Sequence, residues 1–252
     1  MHMRMLQMKI KQGELSGLVR LYNERIIPAL QKNGGCLFAC LMRSVGQPDD
    51  GISMTLWRSE EDTLRYERSG LFTQLVAEAR PYFADSSEWN LQLSKDFTLE
   101  YTPSAADPTL KRFSVSTTSA DTIPSNEKVP NAFLRIVSLH IKPGSLEEYK
   151  QLYEKAIIPT LMATHGCRFS CLSTPTDDSN EAVSVTLWNS RADAEEYERK
   201  GTFDQLIQTI KHTLSDLSQL RMQSTGTRLP SVTSEDVEID GFHHIASKSF
   251  LA

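Results

Sequence analysis

SMTLWRSEEDTLRYERSGLFTQL (residues 53–75) returns as SVTLWNSRADAEEYERKGTFDQL (residues 184–206), at an offset of 131 residues. The stretch opens as a strand ending at Trp57. Ser59 and Asp62 then stand where a helix N-cap and an acidic first turn belong, and Gly70 separates a short helix from a longer one through Phe72, Leu75 and Ala79. Outward from there the offset holds without a gap from Met5 to Asp85: Ile26-Ile27-Pro28 recurs as Ile157-Ile158-Pro159, and Gly35-Cys36 as Gly166-Cys167. Solenoid repeats run about 20 to 50 residues, so a period this long is a duplicated domain.

Each copy reads strand, helix, strand, strand, helix, helix, strand. Met5 to Lys11 is followed by a helical spacing of Leu15, Leu18, Tyr22, Ile26 and Leu30, stopped at Gly34-Gly35. Cys36 to Arg43 and Ile52 to Trp57 alternate as strands around a turn whose composition differs between the copies. Trp89 to Tyr101 and Leu217 to Arg228 are expected to supply the last strands. The boundaries that follow are a first half at 1–101, a linker at 102–130 rich in Pro, Ser and Thr, a second half at 131–229, and a tail at 230–252 carrying His243 and His244 as exposed polar residues.

The 252 residues carry a net charge of -5, which gives no electrostatic term for nucleic acid or anionic lipid. No apolar run is long enough to span a bilayer, and the expected location is cytoplasmic. Cys36, Cys40, Cys167 and Cys171 form one Cys-x-Phe-x-Cys set per copy. On a strand, residues four apart lie about 13 Å from each other, beyond disulfide reach, so these thiols are expected to act as small buried hydrophobes.

The element order, the Ile-Ile-Pro that closes the first helix, the Gly-Cys that opens the second strand, and the pattern S-x-T-L-W-x-S-x-x-D-x-x-x-Y-E-R-x-G-x-F-x-Q-L resemble the antibiotic biosynthesis monooxygenase-like family. That resemblance implies an α+β fold: two tandem ferredoxin-like domains that pair as a dimeric α/β-barrel within one chain, an internal pseudo-dimer open to further homo-oligomerisation. It also maps three positions that serve haem in haem-degrading relatives. The tryptophan falls on Tyr66 and Tyr197, the histidine on Val76 and Ile207, and the asparagine on Leu6 and Val137. All three depart in both copies, so the resemblance does not imply haem degradation here.

The strands present an apolar set (Leu6, Met8, Ile10, Cys36, Phe38, Cys40, Met54 and Leu56, with their counterparts in the second copy) and a more polar set (Gln7, Lys9, Ala39, Ser53, Thr55 and Trp57, with Ser138, His140, Arg168, Ser170, Ser184, Thr186 and Trp188). The apolar set is expected under the helices, leaving a wet or partly open barrel interior, since unpaired buried polar groups cost about 1 to 3 kcal/mol each. Within the family, cofactor-free oxygenases act on phenols or quinols, which need a base and an apolar pocket. His140 is the candidate base, matched by Lys9 in the first copy, and Arg168 the candidate phenolate partner. Trp57, Trp188, Tyr66, Tyr197 and Thr186 are the candidate substrate-binding residues. The expectation is a cofactor-independent monooxygenase for a small aromatic or quinol-like molecule, with no metal or organic cofactor. The alternative is a non-catalytic small-molecule-binding or stress-associated barrel.

Overall fold

The structure, a computed structural model, describes residues 1–93, 99–105, 108–119, 132–176, 180–215 and 237–250. The first copy supplies β1 (His2–Lys9), β2 (Cys36–Ser44) and β3 (Asp50–Trp57), the second β7 (Phe133–His140), β8 (Cys167–Pro175) and β9 (Glu181–Trp188). Two further strands join them: β6 (Thr109–Thr118) and β10 (Val237–Ser249). Together they close an antiparallel barrel in the order β1-β3-β2-β10-β7-β9-β8-β6. A separate ribbon pairs β4 (Asp85–Leu93) with β5 (Leu99–Ala105). The expected last strand of the first copy falls on that ribbon, outside the barrel, and Leu217 to Arg228 lies outside the described residues.

The segments read as linker and tail are corrected by this topology. β6 bridges β1 and β8, and β10 bridges β2 and β7, so each copy's trailing chain crosses to seal the barrel against the other copy. Bulges between Val115 and Thr117 and between His244 and Ala246 interrupt the alternation that would mark these strands in sequence. Phe113 and Phe242 are the buried anchors of the two bridges. His244 is half-buried on β10, its Nε2 2.8 Å from Ser247 Oγ.

The helices cover the outside. In the first copy α1 (Leu15–Leu21) runs through a π-helical turn (Tyr22–Ile26) into α2 (Ile27–Lys32), and α3 (Glu60–Arg68) and α4 (Leu71–Ala79) follow β3. In the second, α5 (Leu146–Leu152), a π-turn (Tyr153–Ile157), α6 (Ile158–Ala163), α7 (Arg191–Arg199) and α8 (Thr202–Ile210) repeat the plan. Ser59 Oγ accepts from the Asp62 backbone N–H at 3.1 Å and Ser190 Oγ from that of Asp193 at 3.2 Å, the caps expected from sequence. Gly35 and Gly166 must be glycine twice over. Their φ angles are +81° and +85°, and a Cβ on either would come within 2.4 Å of the capping aspartate of its copy.

The barrel interior is apolar, which overturns the expected wet interior. Met3, Met5, Phe38, Cys40, Met54 and Leu56 of the first copy meet Ile136, Phe169, Cys171 and Val185 of the second in one core. The reason lies in register. Residues directly opposed in an antiparallel pair share a face, and Leu6 opposes Ser53, Arg4 opposes Thr55, and Met5 opposes Met54. Leu6, Met8 and Ile10 do lie under the helices as expected, and so do Ser53, Thr55 and Trp57. A bulge between Cys36 and Phe38, repeated between Cys167 and Phe169, turns Cys36 and Cys167 to the helix side while Cys40 and Cys171 point inward.

Candidate functional site

Because β1 and β3 bring Arg4, Leu6, Ser53 and Thr55 to the helix-covered face, a cavity of about 50 Å³ opens there beneath α1 and α4. Tyr22 from the π-turn, Tyr66 from α3, and Phe72, Leu75 and Val76 from α4 complete the wall. The second copy builds the corresponding cavity, of about 30 Å³, from Arg135, Val137, Tyr153, Ser184, Thr186, Tyr197, Phe203 and Ile207.

The charged group in each cavity is an arginine. Arg4 is 4% exposed. Its guanidinium lies over the Phe72 ring at 4.3 Å and the Tyr66 ring at 5.2 Å, and its Nε is 3.0 Å from Glu67 Oε1. Arg135 repeats this over Phe203 at 4.2 Å and Tyr197 at 5.8 Å, with its Nε 2.8 Å from Glu198 Oε1. In both, Nη2 is buried and makes no hydrogen bond of normal geometry in the protein, although the Tyr66 phenol interacts with the Arg4 guanidinium. A buried guanidinium N–H left unpaired is costly, and on a residue that lines a cavity it is a donor that an anionic or carbonyl oxygen would satisfy.

The tyrosines keep their protons and do not serve as bases. Burial pushes the Tyr66 phenol up to about 12, opposed by the nearby Arg4, and burial holds Tyr22 and Tyr153 well above the usual phenol range. Tyr153 OH donates to the Cys171 carbonyl at 3.1 Å and stands 2.7 Å from both Ser170 Oγ and Ser184 Oγ. Tyr22 OH stands 3.2 Å from Ser53 Oγ, and Ala39 takes the place of Ser170.

Of the residues singled out from sequence, Tyr66, Tyr197 and Thr186 line these cavities. So do all six positions matched to the haem-site residues: Leu6, Tyr66 and Val76 in one, Val137, Tyr197 and Ile207 in the other. Trp57 and Trp188 do not; both are fully buried and donate to Thr55 and Thr186 Oγ1 at 2.9 Å, Trp57 stacking on Tyr66 at 4.9 Å and Trp188 packing tilted against Tyr197 at 5.1 Å. They position the cavity tyrosines and are core residues. His140 and Arg168 are not brought together. His140 opposes Glu181 at one end of β9, and Cys167, the neighbour of Arg168, opposes Trp188 at the other, about 23 Å away along the strand. His140 sits half-exposed with Glu181 Oε1 3.5 Å from its Nε2, and Arg168 is paired with Asn189. Neither lines either of these two cavities, and the strand geometry keeps the expected base and the expected phenolate partner apart.

Sequence reasoning missed Arg4, Tyr22, Ser53, Glu67 and Phe72 as a set. A signal existed: each is identical in the second copy, as Arg135, Tyr153, Ser184, Glu198 and Phe203. His140 and Lys9, where the copies differ, lie instead at strand ends on the barrel rim.

Among the described residues no group of His, Cys, Asp and Glu is arranged to hold a metal ion, and no helix is long and apolar enough to cross a membrane. Residues 1–78 and 132–209 match the family described as antibiotic biosynthesis monooxygenase. The fold is similar to that of a candidate monooxygenase from Fusobacterium nucleatum subsp. nucleatum (TM-score 0.70, 8% identity, 98% of this chain and 94% of that one). It is similar also to one from Lactobacillus acidophilus (0.66, 10%, 99% and 96%) and to an anthrone oxidase-like protein (0.53, 12%, 100% and 94%). No curated protein matches the sequence.

Proposed function

The chain belongs to the antibiotic biosynthesis monooxygenase family, and from that premise we propose that it is a monooxygenase-type oxidoreductase for a small aromatic, quinol-like molecule, bound between sheet and helices without metal or organic cofactor. The observation that carries this reading is Arg4, a buried cation whose Nη2 makes no hydrogen bond of normal geometry, in a cavity otherwise lined mainly by apolar and aromatic side chains. Such a site suits a ring bearing one ionisable oxygen. The guanidinium stabilises the oxyanion, and the aromatic wall of Phe72 and Tyr66 takes the ring. The wall tyrosines hold their protons at neutral pH, so the substrate's own acidity supplies the anion and its proton leaves to solvent.

The electrons come from the substrate. One atom of dioxygen replaces a ring hydrogen as a hydroxyl, and the other leaves as water with the two hydroxyl hydrogens of the quinol, so quinol plus dioxygen gives hydroxyquinone plus water. Uncatalysed oxidation gives instead the plain quinone and hydrogen peroxide. The test is incubation of benzene-, naphthalene- and anthracene-based quinols under isotopically labelled dioxygen. A hydroxyquinone carrying one labelled oxygen, without peroxide, is the expected product; only quinone and peroxide at the background rate with every quinol would refute the reading. The small resting cavity favours a second reading, a barrel that binds such molecules without turnover, whose signature is saturable binding with background oxygen uptake.

A further inference from the structure

The two cavities are built from matching positions but are not equivalent. Leu18, Val76 and Ala79 of the first copy become the larger Tyr149, Ile207 and Ile210 in the second, while Leu6 and Phe83 become the smaller Val137 and Leu214, and the cavities measure about 50 and about 30 Å³. The outer wall differs in the same sense. Phe72 and Val76 are half-exposed at the rim of α4, whereas Phe203 and Ile207 are 7% and 8% exposed. A ligand larger than a few waters enters only if the wall yields, and Phe72 and Val76 are more exposed than their counterparts Phe203 and Ile207.

The polar groups differ too. A phenol has one proton to give and two lone pairs to share. Tyr153 gives its proton to the Cys171 carbonyl and receives from Ser170 and Ser184, so its hydroxyl is saturated. Tyr22 has Ser53 at 3.2 Å as its partner and keeps capacity for another.

Charge separates the copies a third time. Strand β6 places Arg112 opposite Arg4, and Arg112 engages both oxygens of Glu67, Nε at 3.0 Å and Nη2 at 2.8 Å. Two guanidinium groups thus share one carboxylate, leaving the cluster net positive. In the second copy Gly241 of β10 opposes Arg135, where the Phe133 ring leaves no room for a Cβ, and Arg135 and Glu198 pair one to one.

We infer that the first copy alone holds the ligand, a planar molecule whose oxyanion sits between the Arg4 guanidinium and the Tyr22 hydroxyl, while the second copy is a filled counterpart that supports the barrel. This rests on reading the sheet–helix cavity as the ligand site, as above. The sequence-based candidates His140 and Arg168 lie on the second copy, the one this reading leaves without ligand.

The probe is 2-hydroxy-1,4-naphthoquinone, planar and ionised near neutral pH, titrated calorimetrically into the full chain beside 1,4-naphthoquinone, which lacks the hydroxyl. One equivalent per chain is expected, with Tyr22→Phe weakening binding at least fivefold and Val76→Ile weakening it by narrowing the mouth. Tyr153→Phe should leave the affinity within twofold. Two equivalents, or equal weakening by Tyr22→Phe and Tyr153→Phe, overturns the single pocket, and equal affinity for the two quinones overturns the oxyanion contact. If Tyr22→Phe does not fold, Val76→Ile against Ile207→Val carries the same comparison. Failure of both quinones to bind below millimolar overturns the ligand class but leaves the labelled-oxygen result to stand or fall separately.

Discussion

Replacing Tyr153 by phenylalanine removes one oxygen from the centre of a polar knot that is otherwise sealed in the protein. Tyr153 and Ser170 are fully buried and Ser184 is 9% exposed, so a replacing water has to come from the adjoining cavity of about 30 Å³. Three contacts disappear: those to Ser170, Ser184 and the Cys171 carbonyl. At roughly 1 kcal/mol for each neutral hydrogen bond, the loss is about 3 kcal/mol. Tyr22→Phe removes one contact of 3.2 Å, beside a cavity large enough for a water, and should cost about 1 kcal/mol. Urea unfolding measures both, with the slope unchanged and the midpoint lowered about three times as far for Tyr153→Phe. For a chain of this size 3 kcal/mol corresponds to a fall of roughly 6 to 12 °C in Tm. Equal losses would show that the two hydroxyls are equally committed, and the argument that Tyr22 retains capacity for a ligand would fail with them.

Three other expectations follow from the fold. Gly35→Ala and Gly166→Ala each combine a left-handed φ with a clash on the capping aspartate, and each should cost about 2 kcal/mol or more by thermal unfolding; Gly46→Ala, with open space around it, should change Tm little. Burial raises all four thiols from 9.0 to about 12, so the folded chain keeps protons that the unfolded chain gives up. Stability should therefore decline from pH 9 toward pH 12, by about 1.4 kcal/mol per pH unit for each thiol, and Cys40→Ala should flatten the decline; a profile level from pH 8 to 11 would contradict the buried placement. Ending the chain at residue 230 removes β10 with Phe242 and bares the edges of β2 and β7, so the product should associate or aggregate in light scattering; a well-folded monomer with unchanged Tm would refute the closed barrel.

The duplication, the order of strands and helices within residues 5–85 and 136–215, the serine caps at Ser59 and Ser190, and the family pattern were all legible in the sequence, because each is a local or repeated feature of the chain. Alternation along β1 correctly grouped Leu6, Met8 and Ile10 on one face. Alternation cannot say which face of the neighbouring strand joins it, because that phase is set by register and by bulges. Leu6 opposing Ser53, and the bulge between Cys36 and Phe38, decided it. The cavity residues were therefore readable only as identities between the copies, and their convergence on Arg4 and Tyr22 only from the folded sheet. The bridging strands are the clearest case of tertiary control. β6 and β10 are broken by bulges and find their hydrogen-bond partners on strands of both copies at once, so their strand character is determined by contacts far away in sequence and not by their own residues.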